Sequence, residues 1–292
     1  MRCWAITPLV WSARVVARLP QRVLLTLGET LAIALWPLLG RRRRIARINI
    51  DLCFPELSVA QRRTLLRRNM AATMIGALEL LRAWYAPSSA LQGLVRIEGL
   101  ERLQAAQARG HGVLLFTGHF TGSELVTRLL AEQLGRPIRA VIRRHNSPCL
   151  EETYEAARAP VFGPTLAKKD VRGLLKVLQA GEPVGYSADQ NFTYQNAFVP
   201  FFGVPASTLT TVPELVRRGR AEMLPFWFHR DAAGIYRVRI EAPWAGWAEA
   251  TPEEAAAIYM RELETVVREH PEQYLWVHRR FKTRPMGEPA IY

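Results

Sequence analysis

From about residue 94 onward, short apolar runs alternate with stretches of helical periodicity, and few folds accommodate that order. Val113 to Phe116, Ile138 to Ile142, Val184 to Ser187, Met223 to Phe228 and Tyr236 to Ile240 read as strands. Between them, "SELVTRLLAEQLG" and "KKDVRGLLKVLQAG" read as helices closing on Gly135 and Gly181. Strands alternating with helices predict an α/β domain with a mixed, largely parallel central sheet flanked by helices. A last helix is expected from Thr251, with Pro252 in its first position and Glu254 completing a capping box. A chain of 292 residues, 49% of them hydrophobic, can bury the core such a sheet needs. Upstream, residues 57–85 predict an amphipathic helix that starts near Ser58 and stops before Pro87. Its apolar stripe is Leu66, Met70, Met74, Leu78, Leu81 and Tyr85.

Charge constrains partners more than fold. Lys and Arg number 39 against 26 Asp and Glu, a net +13, which points to an anionic partner. The first fifty residues hold nine arginines and one acid, Glu29. Between Arg22 and Arg41 lie seventeen mostly apolar residues, 23–39, about 25 Å as a helix and slightly short of a full span. Trp4, Trp11 and Trp36, with flanking arginines, resemble interfacial anchors. The expectation is a membrane-associated helix, tilted or monotopic. Residues 1–47 then form an anchor and basic flank, and residues 48–292 the α/β domain. The four arginines after the apolar segment place that domain on the cytoplasmic face. A nucleic-acid-binding protein would also be basic, but no helix-turn-helix, RNP or zinc-finger pattern occurs. Three scattered cysteines without a CxxC pair argue against a zinc site.

"GHFTGSE", residues 118–124, follows the apolar run "VLLFT" and admits two readings. In one, Thr121 caps the next helix and Glu124 reaches back to complete a capping box. In the other, Glu124 orients His119, which takes a proton from a substrate hydroxyl. Inside a regular helix a five-residue step separates side chains by about 140°. The pair can therefore meet only if His119 lies in the turn before the helix, where Gly118 and Gly122 allow the chain to fold back. On spacing alone the capped helix start is favoured. No GxSxG elbow supplies a protein nucleophile, so a His–carboxylate pair would point to direct acyl transfer with the acceptor alcohol attacking.

The same stretch resembles the H-x4-D/E signature of glycerolipid-type acyltransferases, in its Glu form. "VIRRHNSP", "GYSADQ", "FVPFFGVPASTLTT" and above all "PEQYLWVHRRFKTRP" resemble, in order, the bacterial lipid A biosynthesis acyltransferases. The ordered set reverses the preference drawn from spacing. The resemblance implies transfer of a fatty acyl chain from acyl carrier protein, as co-substrate, to the hydroxyl of a 3-hydroxyacyl chain on an anionic glycolipid, a lipid A precursor. It implies no cofactor, no metal and no nucleic-acid partner, and it places the enzyme at the bacterial inner membrane. By the same resemblance His119 is the general base and Glu124 its orienting partner. Arg143 binds phosphate or developing oxyanion charge, and Asp189 positions. The basic cluster His278, Arg279, Arg280, Lys282 and Arg284 offers counter-charge to the acceptor phosphates or to the acidic carrier. "FVPFFGVPAS", 198–207, is either a core-covering loop or a wall for the acyl chain. An acyltransferase for mannosylated inositol lipids also keeps the His and Glu and is the alternative acceptor class.

Overall fold

The computed structural model describes residues 7–292. Four helices come first: α1 (Thr7–Val16), α2 (Gln21–Ala34), α3 (Gly40–Cys53) and α4 (Val59–Tyr85). Then follow β1 (Val95–Glu98), α5 (Leu100–Ala108), β2 (Gly112–Thr117), α6 (Ser123–Leu134), β3 (Arg139–Ile142), α7 (Pro148–Phe162) and β4 (Leu166–Ala167). The remainder is α8 (Val171–Gln179), β5 (Pro183–Ser187), β6 (Asn196–Phe201), β7 (Val204–Leu209), α9 (Val212–Gly219), β8 (Ala221–Arg230), β9 (Tyr236–Ile240) and α10 (Pro252–Glu269).

Seven strands form one sheet in the order β1-β9-β8-β2-β5-β3-β4, parallel at every pairing except β8 with β9. β2 is buried along its whole length, as a continuous apolar run in the middle of a covered parallel sheet must be. Its Phe116 stacks on Tyr259 of α10, with ring centroids 4.1 Å apart. The expected strands at 113–116, 138–142, 184–187, 223–228 and 236–240 correspond to β2, β3, β5, β8 and β9. β1, β4 and the β6–β7 hairpin are additional. The hairpin turns on Phe202 and Gly203, both at positive φ, the geometry of a two-residue turn whose twist matches its strands. It buries Val199, Phe201 and Ala206, so "FVPFFGVPAS" covers the core as paired strands.

Helix boundaries follow local chemistry. Ser58 and Gln61 form a capping box at the start of α4, and Thr251 and Glu254 form one at the start of α10. α4, 27 residues and about 40 Å long, is the spine against which the N-terminal helices pack. Its fully buried side carries Leu66 and Met70 of the expected stripe, but also Asn69, Glu79, Arg82 and Trp84. Glu79 is held there by Arg230 at 2.5 Å and the Tyr236 hydroxyl at 2.7 Å.

The expected membrane anchor is corrected by the structure. Among the described residues no helix is long and apolar enough to cross a membrane. The apolar stretch 23–39 is divided: α2 stops at Ala34, and a turn containing Pro37 leads into α3. Fourteen residues rise only about 21 Å, against a hydrocarbon core of about 30 Å. Leu24, Gly28 and Ala32, four residues apart, are buried. At Gly28 an added Cβ would lie 2.5 Å from Ile75 Cγ1 of α4, so α2 is packed against protein. The boundary expected after Arg47 falls inside α3. Trp4 lies outside the described residues; Trp11 is exposed, and Trp36 is half-buried beneath the Arg43 guanidinium.

Candidate active site

β2 and β5 are parallel and in register, with Thr117 opposite Ser187. Two residues beyond each of these positions come His119 and Asp189, so the register brings them together at the carboxyl end of the sheet. The His119 Nδ1–H donates to Asp189 Oδ1 at 2.5 Å, and the His119 backbone N–H donates to Oδ2 at 2.9 Å. The Tyr274 hydroxyl donates to the same Oδ2 at 2.8 Å. Asp189 is 1% exposed, whereas the His119 side chain retains 35% of its surface.

These contacts set the protonation states. Burial favours the neutral acid at Asp189, but the His119 charge and the hydrogen bonds from His119 and Tyr274 outweigh it. The carboxyl is held well below its usual range. At His119 burial works against the imidazolium, yet the charge and hydrogen bond of Asp189 prevail over it and over the opposing Lys168 ammonium. The net direction is upward. An ionised Asp189 fixes the proton on Nδ1 and leaves the lone pair on Nε2, in a side chain that keeps about a third of its surface exposed. A cavity of about 10 Å³, lined by His119 and Asp189 together with Asn49, Trp276 and His278, has room for one water at most. Burial pushes the His278 imidazole down to about 4, and its Nε2 accepts from the Asn191 backbone N–H at 3.3 Å.

Tyr274 belongs to a returning segment that the sequence identifies only as "PEQYLWVHRRFKTRP". The Thr121 N–H donates to the Gln273 carbonyl at 2.8 Å, and the Leu275 N–H to the His119 carbonyl at 3.0 Å. Two asparagines with no exposed surface hold the segment from behind. Asn69 of α4 donates to the carbonyls of Glu272 (2.8 Å) and Tyr274 (2.7 Å). Asn49 of α3 donates to those of Trp276 and His278, both at 2.7 Å.

Glu124 is not the partner of His119. Its carboxylate accepts from Arg158 Nη2 at 2.7 Å and Nε at 3.2 Å, and from Trp84 Nε1–H at 2.5 Å. The Arg158 guanidinium lies 4.8 Å from the Trp84 ring centroid and 5.6 Å from that of Tyr154. The Thr121–Glu124 capping box does not form either. α6 begins at Ser123 with Gly122 as N-cap and no side-chain cap, one residue later than the box requires. Gly122 has φ +79°, and a Cβ there would lie 1.7 Å from the Tyr236 hydroxyl oxygen. At Gly118 a Cβ would lie 2.4 Å from Leu263 Cδ1. Gly122 is required by its positive φ, whereas at Gly118 the tip of the Leu263 side chain would have to shift.

Arg143 follows β3 and is exposed. Its charge, after burial, lowers the pKa of Lys168, whose ammonium lies 4.6 Å from the Phe192 ring centroid. The expected basic cluster divides. Arg280 is 2% exposed and donates to the Ser207 carbonyl at 2.7 Å and to the Thr208 hydroxyl at 2.5 Å. Arg284 donates to the Pro205 carbonyl at 2.7 Å and pairs with Glu288. These two guanidiniums brace the β6–β7 hairpin and are not free to receive a phosphate. Lys282 is exposed, and Arg279 lines a cleft of about 500 Å³ beside Arg41 and Arg44. Arg158, Trp84, Lys168, Tyr274, Asn49 and Asn69 are absent from the sequence expectations. The asparagines alone carried a signal, being polar residues set on apolar helix faces.

Comparison with known proteins identifies the family. The family model for bacterial lipid A biosynthesis acyltransferase matches residues 2–283. The lipid A biosynthesis palmitoleoyltransferase of Escherichia coli (strain K12) is 35% identical over 94% of this chain and 90% of its own length. The lauroyltransferase of the same organism is 32% identical over 99% of this chain and 94% of its own, and the myristoyltransferase 27% identical over 86% and 78%. A family model over nearly the whole chain and relatives above 30% identity along most of both chains give one conclusion: the chain belongs to the bacterial lipid A biosynthesis acyltransferase family.

Proposed function

We propose that this acyltransferase moves a fatty acyl chain from an acyl carrier protein thioester to the hydroxyl of a 3-hydroxyacyl chain on a phosphorylated glucosamine disaccharide. The observation that carries the reading is the imidazole of His119, locked through Nδ1 to a buried ionised Asp189 and open at Nε2. In this scheme Nε2 takes the proton of the acceptor hydroxyl as its oxygen attacks the thioester carbonyl carbon. The tetrahedral intermediate collapses with cleavage of the carbon–sulfur bond. The proton on Nε2 then passes to the departing thiolate, which gives the ester and the free carrier thiol. Asp189 supports the imidazolium while it exists, and Tyr274 keeps the carboxylate from rotating. Arg143 and Lys168 are the cations offered to the developing oxyanion. Glu124 and Arg158 act as positioning residues for the start of α6. No cofactor enters the scheme.

The test is an assay of transfer from a panel of acyl carrier protein thioesters to a tetra-acylated, bis-phosphorylated disaccharide, read by mass spectrometry. The expected result is a gain of one acyl chain that disappears in His119→Ala. Equal transfer by His119→Ala would overturn the mechanism. A folded parent protein that transfers nothing would overturn the choice of donor or acceptor.

A further inference from the structure

On the opposite side of α3 from Asn49, a cleft of about 420 Å³ opens between α3 and the start of α4. It is lined by Arg43, Arg44 and Arg47 of α3, Arg63 and Arg67 of α4, and the ring of Trp36. Arg43 is already engaged: it donates to the Trp36 carbonyl at 2.8 Å and lies over that residue's ring at 4.7 Å. Arg44, Arg47, Arg63 and Arg67 are exposed, and no ion pair joins them to a carboxylate among the described residues. The sequence supplies none nearby. No acid occurs between Glu29 and Asp51 or between Glu56 and Glu79. Asp51 is paired with Arg62, and Glu56 with Arg268.

Such an arrangement opposes folding. Arg43 with Arg47, and Arg63 with Arg67, stand four residues apart on their helices, where like charges repel. The charge is carried throughout by guanidinium, whose planar fork matches the oxygens of a phosphate better than a lysine does. A concave site of this size suits a small charged group and the sugar bearing it, within the range of small-molecule pockets. It does not suit the convex face of an acidic helix.

We infer that Arg44, Arg47, Arg63 and Arg67 form a binding site for a phosphomonoester. Its source, resting on the acyl-transfer reading above, is the phosphorylated sugar headgroup of the acceptor. The body of α3, about 10 Å across, separates the cleft from the Asn49 side that faces His119. The site therefore holds the headgroup while the acyl hydroxyl reaches around to Nε2, and it acts on binding and not on chemistry.

The decisive experiment is calorimetric titration of the full chain with three soluble probes: the de-acylated, bis-phosphorylated glucosamine disaccharide, the same sugar without phosphates, and inorganic phosphate. The parent protein is compared with Arg44→Gln/Arg47→Gln, Arg63→Gln/Arg67→Gln, and Arg172→Gln on α8 as an exposed-charge control. All altered side chains are exposed, so the fold is not at risk. Phosphate-dependent binding that weakens about tenfold or more in each double variant, and not in the control, is the expected result. In the transfer assay the same variants should raise the acceptor KM with kcat within about twofold. Inorganic phosphate binding as tightly as the phosphorylated sugar, with the same loss in the variants, supports the phosphate site and makes free phosphate its source. Equal binding of the two sugars, or variants that bind like the parent, overturns the inference. So does loss, in the variants, of binding to acyl carrier protein, titrated separately, when neither sugar binds. Phosphate-dependent binding in a protein that transfers no acyl chain would leave the site standing and remove the acyl-transfer reading instead.

Discussion

The two ends of the loop 118–124 behave differently although both carry an ionisable residue. At one end His119 is joined to an almost fully buried carboxylate and keeps a nitrogen exposed. At the other, Glu124 is surrounded by its own partners, with Arg158 bidentate and the Trp84 indole behind it. A five-residue step in the chain leads from an imidazole paired with Asp189 to a carboxylate held in an ion pair with Arg158. Proximity in sequence did not make them a pair. The parallel register of β2 with β5 supplied His119 with Asp189 instead, and α7 supplied Glu124 with Arg158.

Substitutions can break that contrast. The largest effect is expected from His119→Ala, a loss of about 10²- to 10⁴-fold in kcat with little change in stability, read by steady-state transfer. Asp189→Asn should cost about 10²-fold or more and also displace the pH profile. In the proposed scheme the neutral imidazole is the active form, so kcat/KM is expected to rise with pH through the His119 pKa. Asp189 raises that pKa, and its loss must move the acid limb to lower pH. Glu124→Gln sharpens the distinction. It should lower kcat by about tenfold to a hundredfold through misplacement of the α6 start, with the acid limb left where it was. A limb that moved in Glu124→Gln and stayed in Asp189→Asn would exchange the roles assigned to the two carboxylates.

Smaller effects test the supports. Asn69→Ala removes both bonds to the segment that carries Tyr274 and should destabilise by about 1–3 kcal/mol in urea unfolding, with a fall in kcat. Trp84→Phe keeps a six-membered aromatic ring but removes the five-membered ring whose N–H donates to Glu124, and about 0.5–1.5 kcal/mol is expected from the lost hydrogen bond.

Much of the architecture was legible because buried strands of a parallel sheet announce themselves as unbroken apolar runs. "VLLF" in β2 is buried throughout and was readable as such. β1 was less so, since Val95–Glu98 alternates between half-buried and exposed residues, and β4 is two residues long. The hairpin β6–β7 was hidden by its prolines and aromatics, which read as a loop. The apolar N-terminal stretch misled for a physical reason. Hydropathy reports an apolar surface but not what meets it; here α4 covers the Leu24, Gly28 and Ala32 face, while Val23, Ile33 and Leu38 stay exposed. At the site, His119 could be singled out by its place after a strand, and Asp189 by the resemblance of "GYSADQ" to the family. Their union could not, because it depends on which strands lie side by side. The charges of "HRRFKTRP" pointed to an anion, yet Arg280 and Arg284 are tied to backbone carbonyls, a use of guanidinium that composition cannot reveal.

The bonds from Asn49 and Asn69 to the returning segment have a consequence for how competence is acquired. His119, Asp189 and Tyr274 come from distant parts of the chain, and the latch on Tyr274 comes from helices that precede all three. Every link in that assembly closes a very long loop, so none can form by local collapse. The juxtaposition of His119, Asp189 and Tyr274 therefore depends on long-range contacts and is expected to form together with the global fold. Hydrogen exchange at the Leu275 amide, which is bonded to the His119 carbonyl, should accordingly track global unfolding while the ends of α1 exchange early.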